Sequence, residues 1–360
     1  MRIGIVGTRG IPNHYGGFEQ FAEYLSVALV ERGHQVWVYN SSTHPHQQTT
    51  YKGVNIIHCY DPEHKIGTAG QFIYDFNCII DSRKRDFDVL LQLGYTSSSV
   101  WHFLLPEQSV VITNMDGLEW KRSKYSKKVQ WFLKHAEKWA VTSSNVLVAD
   151  SKAIQSYLLQ TYKQQAHYIA YGATPFYAPN EATLQALNLL KQQYYLVIAR
   201  FEPENNIETI IQGYLINDNP KPLVLIGSTH NKFGAYLQQQ YKHANIRFLG
   251  SIYDMELLNN LRYFCALYFH GHSVGGTNPS LLEAMASHAP ICAHDNAFNK
   301  AILGDDAVYF SSAEEVASII KQQVPMDLAI QHNMKKVMDT FSWPLIFDAY
   351  ESLMQLSLRK

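Results

Sequence analysis

Two glycine-bearing stretches in this chain of 360 residues lie where a strand pattern gives way to a helix pattern. The first is GTRGIPNHYGGFE, residues 7–19, in which Gly16-Gly17 opens the following helix. Glycines in such a turn let backbone N–H groups approach a phosphate, and the helix N-terminus adds a favourable partial charge. A turn that needs positive φ is the other explanation, sufficient for Gly10 but less so for an adjacent pair. Arg9 and Glu19 flank this loop, and its position makes them candidate contacts for an acceptor. The second stretch is HGHSVGGTNPSLLEAMA, residues 270–286. Asn278 and Pro279 mark a helix start, so Gly275, Gly276, Thr277 and Asn278 present backbone donors there. Glu283, one turn in, can accept hydrogen bonds from ribose hydroxyls or can merely complement the helix dipole. His270-x-His272 and His44-x-His46 lack a nearby cysteine or third ligand and make a poor zinc site. His272, in the second glycine stretch, is better read as a candidate ligand contact there.

A third constellation is VVITNMDGLEWKR, residues 110–122. Asp116 at its strand end could orient a hydroxyl or accept its proton, and Glu119 is a second candidate. It runs into KRSKYSKKVQWFLKHAEKWAV, residues 121–141, where Lys121, Arg122, Lys124, Lys127 and Lys128 precede Trp131. Basic residues interleaved with aromatics suit a membrane surface or an anionic acceptor. A helix packed by its aromatics, with Lys134 and Lys138 among its solvated lysines, is the alternative.

The elements that must position these residues alternate. RIGIVG, QVWVYN, VNIIHCY, DVLLQLG, VVITNM, NVLVADS and YIAYG read as strands, with a helix over about 18–32 after the first. Near-continuous apolar runs are expected of parallel strands buried on both faces, and the helical stretches between them give βαβ units. The pattern restarts with YYLVIAR, PLVLIG, IRFLG, ALYFHG, PICAH and AVYF, after the linker-like GATPFYAPNEAT. Two doubly wound sheets with a hinge near 172–180 follow. Ligands of such sheets bind beyond the carboxyl ends of the strands, where all of the stretches above lie. With two sheets face to face, these loops would converge on one interdomain cleft.

Composition narrows the chemistry. Hydrophobic residues are 46% and charged residues 17% of the chain, as in a folded globular protein. A formal net charge of −1 provides no field for nucleic acid. Cys59, Cys78, Cys265 and Cys292 form no C-x-x-C pair and read as buried thiols in a reducing compartment, three of them in strands. No signal peptide or spanning segment is visible, so a cytoplasmic location is expected, with peripheral attachment to the inner face of the plasma membrane through the basic segment. A dinucleotide site would need an acidic residue after the second strand, and Asn40-Ser41-Ser42 has none.

The second half resembles the nucleotide-sugar domain of family 4 glycosyltransferases. The landmarks are ARFEPENN (199–206), VLIGS (224–228), IRFLGSI (246–252) and GGTNPSLLEAMA (275–286). VADSKAIQSYL, YIAYGAT and FSWPLIFDAYESLM (341–354) resemble the link and the C-terminal crossover helix of that family. GTRGIPNHYGGFE with NMDGLEWKR resembles a narrower group of bacterial polysaccharide rhamnosyltransferases. The resemblance implies an α/β GT-B fold of two doubly wound Rossmann-like domains facing an interdomain cleft. It implies an acceptor-side domain at 1–174 plus the crossover helix 341–360, and a donor domain at 175–340. Arg200 would pair with the donor diphosphate, a geometry suited to guanidinium. Glu283 would hold the ribose, backbone near Ile252 would read the base, and Gly16, Gly17, Gly276, Thr277 and Asn278 would approach the phosphates or the acceptor. Arg200 thus joins Asp116 and Glu119 as a catalytic candidate.

Two positions depart from that family's nucleotide-sugar-domain pattern, and a third lies after the strand VVITN. Gly275 stands where many members have a second Glu, and Asn205 stands where a Lys often follows the Arg. Met115 stands where relatives place a His against the sugar's 6-hydroxyl, so it either faces a 6-deoxy methyl or fills the core. No cofactor and no metal are expected. The expected reaction is retaining transfer of a hexose, L-rhamnose from dTDP-rhamnose first, onto a polyprenyl-diphosphate-linked or oligosaccharide acceptor. Transfer of glucose, galactose or mannose, and a non-catalytic nucleotide-sugar-binding protein, are the alternatives.

Overall fold

The computed structural model describes every residue but Tyr15, Ser123, Lys124, Asn219, His243, Ala244, Gly275 and Lys360. The chain forms two compact units. The first comprises Met1–Lys121, Tyr125–Tyr171 and Trp343–Lys360. The second comprises Gly172–Ser342 with a short piece beginning at Arg122.

The first unit holds an eight-stranded sheet built from β1 (Arg2–Val6), β2 (Gln35–Ser41), β3 (Thr50–Tyr51), β4 (Val54–Cys59), β5 (Val89–Leu93), β6 (Val110–Asn114), β7 (Val146–Ala149) and β8 (Ala166–Tyr168). Their order is β3-β4-β2-β1-β5-β6-β7-β8. All neighbours are parallel except β3 and β4. Central β5 is buried at all five positions, as its unbroken apolar run requires. Helix Gly17–Glu31 returns over the sheet with Phe21, Ala22, Leu25 and Leu29 buried. The closing helix Trp343–Ser357 packs on it through Tyr350, whose ring centre is 5.1 Å from that of Phe21. Arg32, just past the first helix, pairs with Asp348 and Glu351 at 2.6 Å each.

The second unit holds six parallel strands: β9 (Tyr195–Ile198), β10 (Leu223–Ile226), β11 (Ile246–Gly250), β12 (Leu267–His270), β13 (Ile291–His294) and β14 (Val308–Phe310). Their order is β11-β10-β9-β12-β13-β14. Order reverses at β9, whose two sides carry β10 and β12. That reversal is where doubly wound sheets open a ligand crevice.

Three expectations shift. The strand expected over YIAYG lies earlier, at Ala166–Tyr168, and pairing ends at Tyr168. The apolar residues that follow are buried for another reason: the Tyr171 ring lies 5.6 Å from Phe21, edge to face. The two-residue β3 escaped notice because its polar residues carry no apolar run. Cys265 is not in a strand but caps helix Met255–Phe264, although all four cysteines are buried and reduced.

Candidate functional site

The carboxyl edge of the second sheet is built by the loops that leave neighbouring β9 and β12. Asn206 Nδ2 donates to the Gly271 carbonyl at 2.8 Å. The Ser273 amide and hydroxyl both donate to the Glu204 carbonyl, at 3.0 and 2.7 Å. Gly271 is a glycine for a packing reason, since a Cβ there would collide with the Asn205 carbonyl oxygen. The two loops therefore form one rigid ledge. Arg200 stands exposed on it, with its own carbonyl held by Asn205 Nδ2 at 2.6 Å. Asn205 stands where many family 4 members have a Lys. It is 5% exposed and its amide braces Arg200 from beneath, so it is a support for the site.

Helix Pro279–Ala286 begins at the same edge. The Asn278 side chain caps it, accepting from the Ser280 amide at 2.9 Å, and Pro279 occupies the first turn. Ser280 Oγ lies 2.7 Å from the Tyr268 hydroxyl, which ties the helix start to β12. Thr277 is buried and Gly276 half-buried at this N-terminus, where backbone donors and dipole favour an anion. Gly275 lies outside the described residues. Glu283 is 17% exposed and accepts from Arg262 Nη2 at 2.5 Å. Arg262, at 1% exposure, escaped the sequence reading: an arginine in a mid-chain helix gives no sign that it faces inward. Ile252 is half-buried just beyond β11.

His272 stacks on His270 with ring centres 4.5 Å apart. The His272 carbonyl accepts from Asn296 Nδ2 and Asn299 Nδ2 at 2.9 and 3.0 Å. Both of these asparagines are later in the chain and carried no motif. Burial, with the Arg200 guanidinium nearby, lowers the His272 pKa to about 3, so its ring is neutral at physiological pH. His270 is pushed well down by burial and by His272. Among the described residues, both His270 ring nitrogens and Nδ1 of His272 are buried without a hydrogen-bond partner.

In the first unit the loop after β1 is held by its own charged residues. Glu19 is 5% exposed and accepts from the Arg9 amide at 2.8 Å. The Arg9 guanidinium pairs with Glu63 and, at 3.6 Å, with Asp61. These charges organise the loop from within. Gly7 and Gly10 both adopt positive φ (+85° and +124°), with the Leu93 carbonyl and Asn40 packed where their side chains would go. Gly16, the helix cap, is extended at φ −166°, a conformation open to any residue. Gly17 is the first helical residue.

After β6, Asp116 adopts φ +50° and its amide donates to Asn114 Oδ1 at 3.0 Å. Asn114 Nδ2 in turn donates to the Tyr350 hydroxyl at 3.0 Å, so the closing helix braces this strand end. Glu119 begins a single 3-10 turn, Glu119–Lys121, and is 9% exposed. Met115 is 2% exposed, a core position. In the basic segment, Lys121, Lys127 and Lys128 are exposed and Arg122 is half-buried; Lys124 lies outside the described residues. Trp131 is 65% exposed, with Val129 also outward. Phe132 and Trp139 pack inward instead, against Phe72 and His102. Among the described residues, no cluster of three or more His, Cys, Asp or Glu could hold a metal, and no helix is long and apolar enough to cross a membrane.

Comparison with known proteins follows this division. Residues 1–174 match a family described as a domain of unknown function (DUF1972), and residues 180–335 match the glycosyl transferases group 1 family. No curated protein matches the chain by sequence. Among solved structures, a sucrose-phosphate synthase from Thermosynechococcus elongatus aligns with TM-score 0.79 and 17% identity, over 99% of this chain and 98% of that one. Anabaena HepE, in complex with UDP and glucose, aligns with TM-score 0.75 and 13% identity over 98% and 99%. A trehalose 6-phosphate synthase from Burkholderia multivorans aligns with TM-score 0.70 and 12% identity over 98% and 96%. Residues 180–335 of this chain are a group 1 glycosyltransferase domain, carried in a protein of GT-B fold.

Proposed function

We propose that the protein transfers a sugar from a nucleoside diphosphate sugar to a hydroxyl acceptor, with retention at the anomeric carbon, and that the donor is dTDP-L-rhamnose. The observation that carries transfer is the ledge at the carboxyl ends of β9 and β12. Arg200 is exposed on it, and helix Pro279–Ala286, which carries the half-buried Glu283, begins at the same sheet edge. Arg200 and the amides around Gly276–Asn278 neutralise the departing diphosphate, and Glu283 orients the ribose. The bond from C1 to the phosphate oxygen breaks with its electron pair leaving on the nucleotide. The acceptor oxygen bonds to C1 on the same face, and its proton passes to the leaving phosphate. Asp116 and Glu119 orient the acceptor hydroxyl.

Rhamnose rests on the likeness of GTRGIPNHYGGFE and NMDGLEWKR to rhamnosyltransferases of polysaccharide assembly. The neighbour HepE, solved with UDP and glucose, favours glucose from UDP-glucose as the second reading. Release of nucleotide from dTDP-rhamnose and UDP-glucose, with and without lipid-linked glycan acceptors, tests both. Acceptor-dependent release from neither donor overturns transfer. Arg200→Ala removes donor binding in calorimetry; retained affinity would mean that the ledge is not the donor site.

A polyprenyl-diphosphate-linked acceptor at the cytoplasmic leaflet fits the exposed Trp131 beside Lys127 and Lys128. Binding to anionic vesicles that weakens with salt is expected, and Trp131→Ala with Lys128→Ala reduces it. Vesicle binding indifferent to salt would remove the membrane from this proposal.

A further inference from the structure

A buried carboxylate outside the donor ledge collects an unusual number of donors. Glu137, in helix Lys127–Ser143, is 1% exposed. Its Oε1 accepts from the Tyr157 and Tyr162 hydroxyls at 2.6 Å each and from Lys134 Nζ at 2.7 Å. Its Oε2 accepts from Trp120 Nε1 at 3.1 Å and from the Tyr95 hydroxyl at 3.5 Å. The Lys134 ammonium lies 4.6 Å from the centre of the Trp120 ring and 4.7 and 5.1 Å from those of Tyr157 and Tyr162. Lys134 therefore does not belong to a free basic face. Its charge is neutralised inside the unit, between a carboxylate and three aromatic faces.

The two oxygens serve different parts of the chain. Tyr157 and Tyr162 belong to helix Lys152–Tyr162, so the Oε1 bonds join two helices. Both Oε2 donors face the segment after β6. Trp120 sits in the turn with Glu119, and the single Tyr95 hydroxyl proton is shared between Glu137 Oε2 and the Gly117 carbonyl, 3.4 Å away. Tyr95 titrates far above its ordinary value through burial and the charges of Glu137, Glu119 and Asp116, so it remains a neutral donor near all three. Burying a carboxylate costs several kcal/mol unless its lone pairs are filled. Helix packing alone would not call for an indole N–H on the second oxygen. The strained φ of Asp116, three residues before Glu119, persists only where the surroundings hold it.

We propose that Glu137 is a positioning residue for the transfer, holding Asp116 and Glu119 in place through Trp120. This rests on the acceptor roles assigned to those two carboxylates above. Trp120→Phe keeps an aromatic ring and removes the donor to Oε2; Tyr162→Phe removes a donor to Oε1. For Trp120→Phe, kcat falls about tenfold or more with donor affinity unchanged, and amide hydrogen exchange across residues 115–121 accelerates about tenfold. For Tyr162→Phe, the thermal midpoint falls but kcat and exchange in that segment stay near wild type. Equal effects of the two variants on kcat and on exchange, or no effect of Trp120→Phe on either, overturn the proposal. Should the wild-type protein transfer no sugar, the exchange contrast still decides whether Glu137 holds the segment, so the two failures are distinct.

Discussion

Arg262 Nη2 donates to Glu283 Oε2 at 2.5 Å, joining helix Met255–Phe264 to helix Pro279–Ala286. Arg262 is almost fully buried, whereas Glu283 keeps 17% exposure. One carboxylate oxygen is thus committed to the protein interior, and the carboxylate is aimed before any ligand arrives. Removing one partner of a buried pair costs about 3–5 kcal/mol, toward the lower end here because Glu283 retains some solvent. Arg262→Met should lower stability to urea by about that lower value and weaken donor binding, since Glu283 loses its fixed rotamer. An unchanged unfolding midpoint would show that the pair contributes nothing.

Gly271 has no room for a side chain against the Asn205 carbonyl. Gly271→Ala must push the Arg200–Asn206 loop away from β12 and break the Asn206 bond to residue 271. A loss of about 1–3 kcal/mol is expected, as for other overpacked sites, with a larger loss of donor affinity than of stability. Full donor affinity in a stable Gly271→Ala protein would contradict the rigid ledge.

His272 titrates near pH 3 in the folded protein against an ordinary 6.5, and His270 is shifted in the same direction, both through burial first. Between those values the unfolded chain binds protons that the folded one refuses. Stability is therefore full above about pH 6.5 and declines as pH falls toward 3, each histidine adding at most about 1.4 kcal/mol per pH unit. Chemical denaturation of wild type and His272→Asn across this window should show a shallower acid limb in the variant. Parallel limbs would place the His272 ring in water.

Asp75 acts in the opposite sense. Burial raises its pKa from 3.8 to about 6, against a 2.5 Å hydrogen bond from the Ser97 hydroxyl and the nearby Arg9 charge. The folded state holds its proton longer than the unfolded chain, so this contribution is lost as pH rises from about 4 through 6. Asp75→Asn should gain stability relative to wild type over that interval, by at most about 1.4 kcal/mol per pH unit. A stability difference independent of pH would rule out a raised Asp75.

The strands were legible because burial on both faces leaves unbroken apolar runs, as in Val89–Leu93. The same signal misled at YIAYG, where Tyr171 is buried by Phe21 rather than by a neighbouring strand. Period alone cannot tell these apart. The helix start at Pro279 was legible from Asn278-Pro279, since a capped helix start is a local matter. The division of charge was not. Arg9 and Glu19 looked like ligand contacts, yet each is engaged inside the unit. Lys134 looked like one of a row of surface lysines, yet it sits among Trp120, Tyr157 and Tyr162.

By itself, the sequence determined the two parallel sheets, the helices between them, and the strand ends where polar and glycine residues gather. Those features depend on neighbours within a few positions. Only the tertiary structure decided which charges stay available. Arg262 finds Glu283 across 21 residues, Asn114 finds Tyr350 across 236, and Glu137 finds Tyr95 across 42. A buried charge must be paired wherever its partner lies in the chain. Arg200 stays exposed, while Asn205 and Asn206 below it satisfy the Arg200 and Gly271 carbonyls.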